Sequence, residues 1–526
     1  MKKTMKYFSM AALALVGAVM TSCSSDDLTE NKQQFAENNG NNVETLTASI
    51  SMAGGETRAL TSGGVKTFAE GDKIAVVYKN TSGETVKAES EELTGISVDG
   101  KSADFTVTLT NADKTKNVTY IYPAAMAGED GSVASISSQN GTLESLASSM
   151  DYCKFSGAWE GSDLPTGEMD NQLVICAFTL KDCLGTSDIT STITNMTVSD
   201  GTNTYNVTRD AAPGPIYVAI YPTSSKNINY TATAGTKFYA KYVTNKTYAA
   251  GSWHNIGLKM AEVVKGKFSV SSTKQVYFSV SNLNATTSDN GTTWSWHFVS
   301  NQYSRVGNGA ANTSINGNGT VTNDGNTKNV DLFGWSTSST HLGISNNTNN
   351  SNYTGDFVDW GSASEVTACI GTGWRTLTSY EWRYLMVTRS GNRFVMAKKG
   401  TRGGMILLPD DWKTSYYSLN NYNDASADFS ANSLNDSQWA TLEAHGAVFL
   451  PVTGQRNSGT TINGADDQLH YWSSTKGDTE TGTGANANHM RWMPNTTTPA
   501  GNRGLAPDTG AGRCNGFAVR LVYDIK

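Results

Sequence analysis

The sequence predicts a mostly β protein: tandem β-sandwiches followed by an α+β portion toward the C-terminal end. Three observations carry this. Short apolar runs alternate with Thr, Ser and Asn, the period-2 pattern of strands with one buried face. Gly, Asn and Asp punctuate the runs, with 51 Gly against 10 Pro, as turns between short strands demand. Helical spacing is confined to two short segments. The 12 Trp, 22 Tyr and 16 Phe supply the apolar surface an ordered core needs, and 526 residues exceed what one core usually holds. Only 17% of residues are charged, with a net charge of −7. No basic stripe of the kind nucleic-acid binders carry is present.

The elements follow in order. Lys2, Lys3 and Lys6 precede an apolar stretch from Phe8 to Met20, too short to span a bilayer and shaped like a signal h-region. Met20-Thr21-Ser22-Cys23 resembles a lipobox, which implies a signal peptide over 1–22 and lipidation of Cys23. The alternative is an ordinary cleaved signal with an incidental cysteine; the small residues before Cys23 and the polar run after it favour the lipobox. Ser24-Ser25-Asp26-Asp27 resembles the acidic export signal of Bacteroidota lipoproteins. That implies an outer-membrane protein exposed at the cell surface, held firmly by several acyl chains. Residues 23–44 read as a flexible tether.

Leu46, Ala48, Ile50 and Met52 alternate with polar residues as a half-buried strand. After Gly54-Gly55 and Thr57-Arg58-Ala59 come Phe68, the turn Gly71-Asp72, and the apolar run Ile74 to Tyr78. Strands over 103–109 and 118–122 follow, the latter stopped by Pro123. A first sandwich is expected over 45–160 and a second over 161–263, the second with strands at 172–180, 193–198, 216–221 and 255–260. The order Thr57-Arg58, Phe68, Gly71-Asp72-Lys73-Ile74, Tyr122-Pro123, Tyr221-Pro222 and Tyr248-x-x-Gly251-x-Trp253 resembles the fimbrillin family of type V pilins, over roughly 45–262. The resemblance implies two stacked transthyretin-like sandwiches and donor-strand exchange with other fimbrial subunits. It further implies protease cleavage between Arg58 and Ala59, which releases the strand holding Leu46, Ala48, Ile50 and Met52 and opens a groove for an incoming strand. An ordinary loop arginine remains the alternative, and a cut there would sever the lipid anchor.

From 264 to 526 aromatics become denser and Asn/Gly/Thr loops lengthen. Helices are expected over 378–388, capped by Thr378 or Ser379, and over 437–445. Gly373-Trp374-Arg375-Thr376-Leu377-Thr378 with Glu381-Trp382, Leu407-Leu408-Pro409-Asp410, Gly446 to Pro451, Tyr471-Trp472-Ser473-Ser474 and Gly516 to Arg520 resemble a C-type-lectin-like domain of the kind shared with sulfatase-modifying factors. Those enzymes carry a close pair of cysteines near the C-terminus; Cys514 stands alone, with Cys369 far back, so their activity is not expected. A bridge between Cys369 and Cys514 stays open, and Cys176 reads as a buried apolar thiol. Met493-Pro494-Asn495 lacks the first oxygen ligand of a calcium-dependent sugar site. The six histidines fall in no motif and are expected at surfaces or interfaces. Neither a metal, a cofactor nor a catalytic residue is expected. Trp374, Trp382 and Trp472 read as core, while Trp360 and Trp492, among Gly, Asp and Asn, are candidates for ligand contact.

The chain is therefore expected to be a surface adhesin rather than an enzyme, a fimbrial tip or accessory subunit that accepts a strand and presents a head to a glycan or protein. Its final strand, Phe517 to Tyr523, is expected inside the folded head and unavailable for donation. The alternative is a stand-alone glycan-binding lipoprotein that never polymerises.

Overall fold

The apolar runs become strands in the computed structural model, which describes residues 42–53, 67–307, 310–315, 328–337, 341–457, 459–494 and 504–525. Before residue 264 the strands are β1 Val43–Met52, β2 Ala75–Lys79, β3 Thr85–Glu89, β4 Ser102–Thr110, β5 Val118–Tyr122, β6 Ser138–Gln139, β7 Cys153–Gly157 and β8 Gly167–Asn171. They continue with β9 Val174–Lys181, β10 Asn195–Ser199, β11 Thr204–Thr208, β12 Ile216–Ile220, β13 Thr223–Ala234, β14 Lys237–Tyr248, β15 Trp253–Lys259 and β16 Ala261–Val263.

The first unit is a seven-stranded sheet in the order β3-β2-β5-β7-β8-β1-β4. It curls until its ends meet: Thr94 bridges Asp104, Asn80 bridges Ala112, and the Glu91 amide donates to the Thr106 carbonyl at 2.8 Å. Ile50, Phe105, Tyr120 and Met169 fill the enclosed core. The β2 region reads as an unbroken apolar run because both its faces are covered. Ile74, Val76 and Tyr78 enter the first core, whereas Ala75 and Val77 enter the second.

The second unit stacks the six-stranded sheet β16-β14-β13-β10-β11-β6 on the three-stranded β12-β9-β15. Phe178 and Tyr230 meet edge to face across it, at 5.5 Å. The boundary expected at residue 160 is corrected, since β7 and β8 complete the first sheet and carry it to Asn171. Between β5 and β7 the chain visits the second core, where Met126, Ile136, Leu146 and Tyr152 are buried. The Gln139 side chain fastens this excursion, donating to the Ala219 carbonyl at 2.7 Å and accepting from its amide at 2.9 Å. Strand alternation shows that a residue is buried but not which core receives it.

The C-terminal unit mixes helices Ser364–Ile370, Ser379–Arg383 and Asp436–Ala444 with short strands. Thr378 caps its helix in a capping box with Glu381, and Asn435 caps the other with Gln438, which satisfies amides that the first turn would leave unpaired. Val263 bridges Ser279, and Ala240, Ala261 and Val263 share a core with Tyr277, Leu283 and Trp374. The second and C-terminal units are thus packed on one another. No helix among the described residues is long and apolar enough to cross a membrane.

Candidate functional site

The site centres on β1. Alternation sends Ala48, Ile50 and Met52 into the core, leaves Leu46 half-buried and exposes Thr45, Thr47 and Ser49. The strand runs antiparallel to β4 from Val43 opposite Thr110 to Ser51 opposite Ser102. Parallel pairing with β8 covers only Ile50–Met52. On the outer face, hydroxyl pairs Thr45–Thr108 and Thr47–Thr106 sit at 3.0 Å, and Ser49 donates to Asp104. At one end the Asn111 amide donates to the Asn42 carbonyl at 2.7 Å. Beside it, a hydrogen bond from Lys114, then one from Asn42, hold the Glu44 carboxyl below its usual range. At the other end the Met52 amide donates to the Lys101 carbonyl at 2.8 Å and that of Ala53 to Met169 at 3.1 Å.

Arg58, Ala59 and Cys23 lie outside the described residues. Phe68 is a fixed point. The Phe68 amide donates to the Gly100 carbonyl at 2.7 Å, and its ring meets Tyr122 edge-on at 5.0 Å. Tyr122 donates its hydroxyl to the Asp72 carboxylate at 2.6 Å, which also accepts from the Ala69 amide at 2.7 Å. Burial, then the Asp72 carboxylate, push the Tyr122 hydroxyl pKa up. Phe68 and Asp72 thus form one anchor with Tyr122, distant in sequence, ahead of β2.

The C-terminal strand Leu521–Ile525 is held on both edges, by Gln275–Phe278 and by Trp374–Thr376. Arg375 grips Glu381 with two hydrogen bonds, at 2.7 and 2.8 Å, and reaches Asp524 at 2.8 Å. Asp410 accepts from Arg389 at 2.9 Å and from the Ser269 hydroxyl at 2.7 Å. Trp374, Trp382 and Trp472 are core residues, as expected. The motif positions of this unit therefore tie its loops together.

Two expectations fail on burial. Trp360 is 0% and Trp492 3% exposed, so neither offers a face to a ligand. Their indole nitrogens donate to the carbonyls of Leu342 and Ala425, at 2.7 and 2.8 Å. Trp360 lies in a turn folded over its own ring, whereas Trp492 points inward from the strand Asn486–Met493. His470 and His489 are likewise interior, 3.3 Å apart and packed on Phe517. Burial drives the His489 pKa down to about 3 and that of His470 well below the usual value. Cys176 is buried as expected, and Cys369 and Cys514 are free thiols.

Arg456 and Arg513 gave no sequence signal, and Arg520 entered only as the end of the Gly516 to Arg520 motif. All three are buried. Arg456 spans the carbonyls of Leu332 and Ser345, at 2.7 and 2.5 Å, and Arg520 meets the Gln302 side chain at 2.9 Å. Apolar neighbours on both sides of Arg520 are the one hint that its guanidinium points inward. Among the described residues no group of three or more His, Cys, Asp and Glu could hold a metal ion.

No family model matches the chain, and no curated protein sequence does. Solved structures share partial likeness. A fimbrial assembly protein from Parabacteroides distasonis is 11% identical, with a TM-score of 0.26, over 45% of this chain and 95% of that one. The tip fimbrial protein of Porphyromonas gingivalis, with its C-terminus truncated, is 11% identical with a TM-score of 0.17, over 43% and 82%. The minor pilin of Streptococcus agalactiae is 10% identical with a TM-score of 0.18, over 42% and 96%. Each likeness spans less than half of this chain.

Proposed function

We propose that the chain is a surface adhesin of fimbrial type in which β1 is a removable strand and the C-terminal unit is a binding head for a glycan or protein. The observation that supports this best is how β1 sits. It fills the first core with alternate side chains between β4 and β8. Its departure would leave two strand edges and the sites of Ala48, Ile50 and Met52 open to another strand. The Arg58 segment lies between β1 and the Phe68 anchor, so a cut there frees the strand without loosening the anchor. Strand Leu521–Ile525 is engaged on both edges and is not free to donate, which suits a tip or accessory subunit. On this reading Cys23 carries the lipid, the protein sits on the outer membrane until processed, and it acts by binding rather than catalysis.

A second reading, a tethered glycan-binding lipoprotein that keeps β1, draws on the pairing of β1 to both neighbours. The mass and N-terminal sequence of protein recovered from cell surfaces, beside an Arg58→Ala variant, separate the two. A mature start at Ala59 that is lost in the variant is expected. A lipidated start at Cys23 in both proteins would contradict the exchange mechanism and leave the tethered binder.

A further inference from the structure

The second unit has a strand edge that no other strand covers. β15 lies at the end of its layer and pairs with β9 alone, in parallel, from Trp253 opposite Ile175 to Lys259 opposite Lys181. The ends of this ladder fix its phase. The Ile175 amide donates to the Ser252 carbonyl at 3.0 Å, and the Met260 amide to the Lys181 carbonyl at 2.9 Å. A parallel ladder draws both bonds from alternate residues of a strand, so His254, Ile256 and Leu258 turn their backbone groups toward β9. Those of Asn255, Gly257 and Lys259 turn outward, and among the described residues they meet no further strand. A side chain added at Gly257 would find nothing within 4 Å, so this edge can be approached.

The edge borders a groove of about 520 Å³. Tyr230, Tyr248 and Leu258, all buried, contribute its apolar lining, and Lys241, Lys246 and Lys259 contribute three cations. Among the described residues none of these lysines is paired with a carboxylate, although Lys237 on the same strand meets Glu262 at 2.9 Å. Burial, then the charge of Lys259, hold the Lys241 pKa below its usual value. Among the described residues the groove thus holds positive charge without a counter-charge.

We propose that the β15 edge docks an extended acidic peptide segment of a partner protein as a fourth strand of this layer. Outward backbone groups recur every second residue, about 6.6 Å apart, the repeat of an incoming strand and not of a sugar chain. Apolar side chains on its inner face would meet Tyr230, Tyr248 and Leu258, while its carboxylates would meet the lysines. The site is complete with β1 in place and does not depend on the exchange proposed above.

The test uses the full chain and three probes: a capped peptide of alternating Val and Glu, its Val and Lys counterpart, and a heparin hexasaccharide. The acidic peptide is expected to slow amide hydrogen exchange at Asn255, Gly257 and Lys259 and to leave His254, Ile256 and Leu258 unchanged. Lys241→Glu with Lys259→Glu should weaken that peptide about tenfold, as two partly exposed ion pairs would, and should strengthen the lysine peptide. Gain of the lysine peptide also shows that the variant is folded. Unprotected amides at the three outward positions, or an acidic-peptide affinity indifferent to the charge reversal, would overturn the proposal. So would lysine-dependent binding of the hexasaccharide without binding of the peptide.

Discussion

β1 and the strand Leu521–Ile525 both lie inside sheets, yet they are held differently. β1 pairs with β4 along most of its length but with β8 only at Ile50–Met52, and it keeps Thr45, Thr47 and Ser49 in solvent. Leu521–Ile525 has partners on both edges, Leu521 and Val522 are 0% exposed, and Asp524 is pinned by Arg375. Whether a strand can leave depends on how much of its second edge and second face is engaged. By that measure β1 is the less engaged of the two, as the proposed exchange requires.

The comparison breaks most visibly at Arg375. Its loss would leave Glu381 and Asp524 unpaired, so Arg375→Ala should cost about 4 kcal/mol in denaturant unfolding of the C-terminal unit. Ile50→Ala should cost about 3 kcal/mol through the cavity it leaves in the first core, and should speed loss of β1 after a cut at Arg58. Tyr122→Phe removes the bond to Asp72 and should cost about 2 kcal/mol. A cycle with Asp72→Asn should recover most of that as coupling.

Acid sharpens the contrast with a smaller slope. His489 is neutral when folded, with its pKa lowered from 6.5 to about 3. The unfolded chain binds the extra proton between those values, so stability falls as pH drops through that window, by at most about 1.4 kcal/mol per pH unit. His489→Gln should flatten the slope. Glu44 has its pKa lowered from 4.5, so its contribution is present above that value and is lost as pH falls below it. Glu44→Gln should have the smallest effect, detectable as a reduced pH dependence of β1 release. The C-terminal unit should therefore begin to weaken at a higher pH than the β1 site does.

The alternation of Leu46, Ala48, Ile50 and Met52 made β1 legible, because one face meets core and the other water. Phe68, Asp72 and Tyr122 were visible as motif positions, but their convergence depends on how β5 and the 67–72 segment meet in space. The excursion of 124–152 into the second core was not legible, since apolar residues alone do not name their core. Trp360 and Trp492 misled because polar neighbours in sequence do not tell which way a ring points: one lies in a turn and the other in a strand, and both rings are buried. The open edge of β15 is a property of sheet order, which no local pattern encodes.

The exchange of β1 can be measured directly. The protein is cut by an arginine-specific protease, a single cut after Arg58 is verified by mass, and a fluorescent peptide of residues 43–52 is offered to cut and uncut chains. The account predicts that cut protein releases its own strand and takes up one labelled peptide per chain, while uncut protein takes up none. Cut protein that retains β1 and excludes the peptide, or uncut protein that incorporates it equally, would contradict the claim that β1 is a strand held in place by its covalent link.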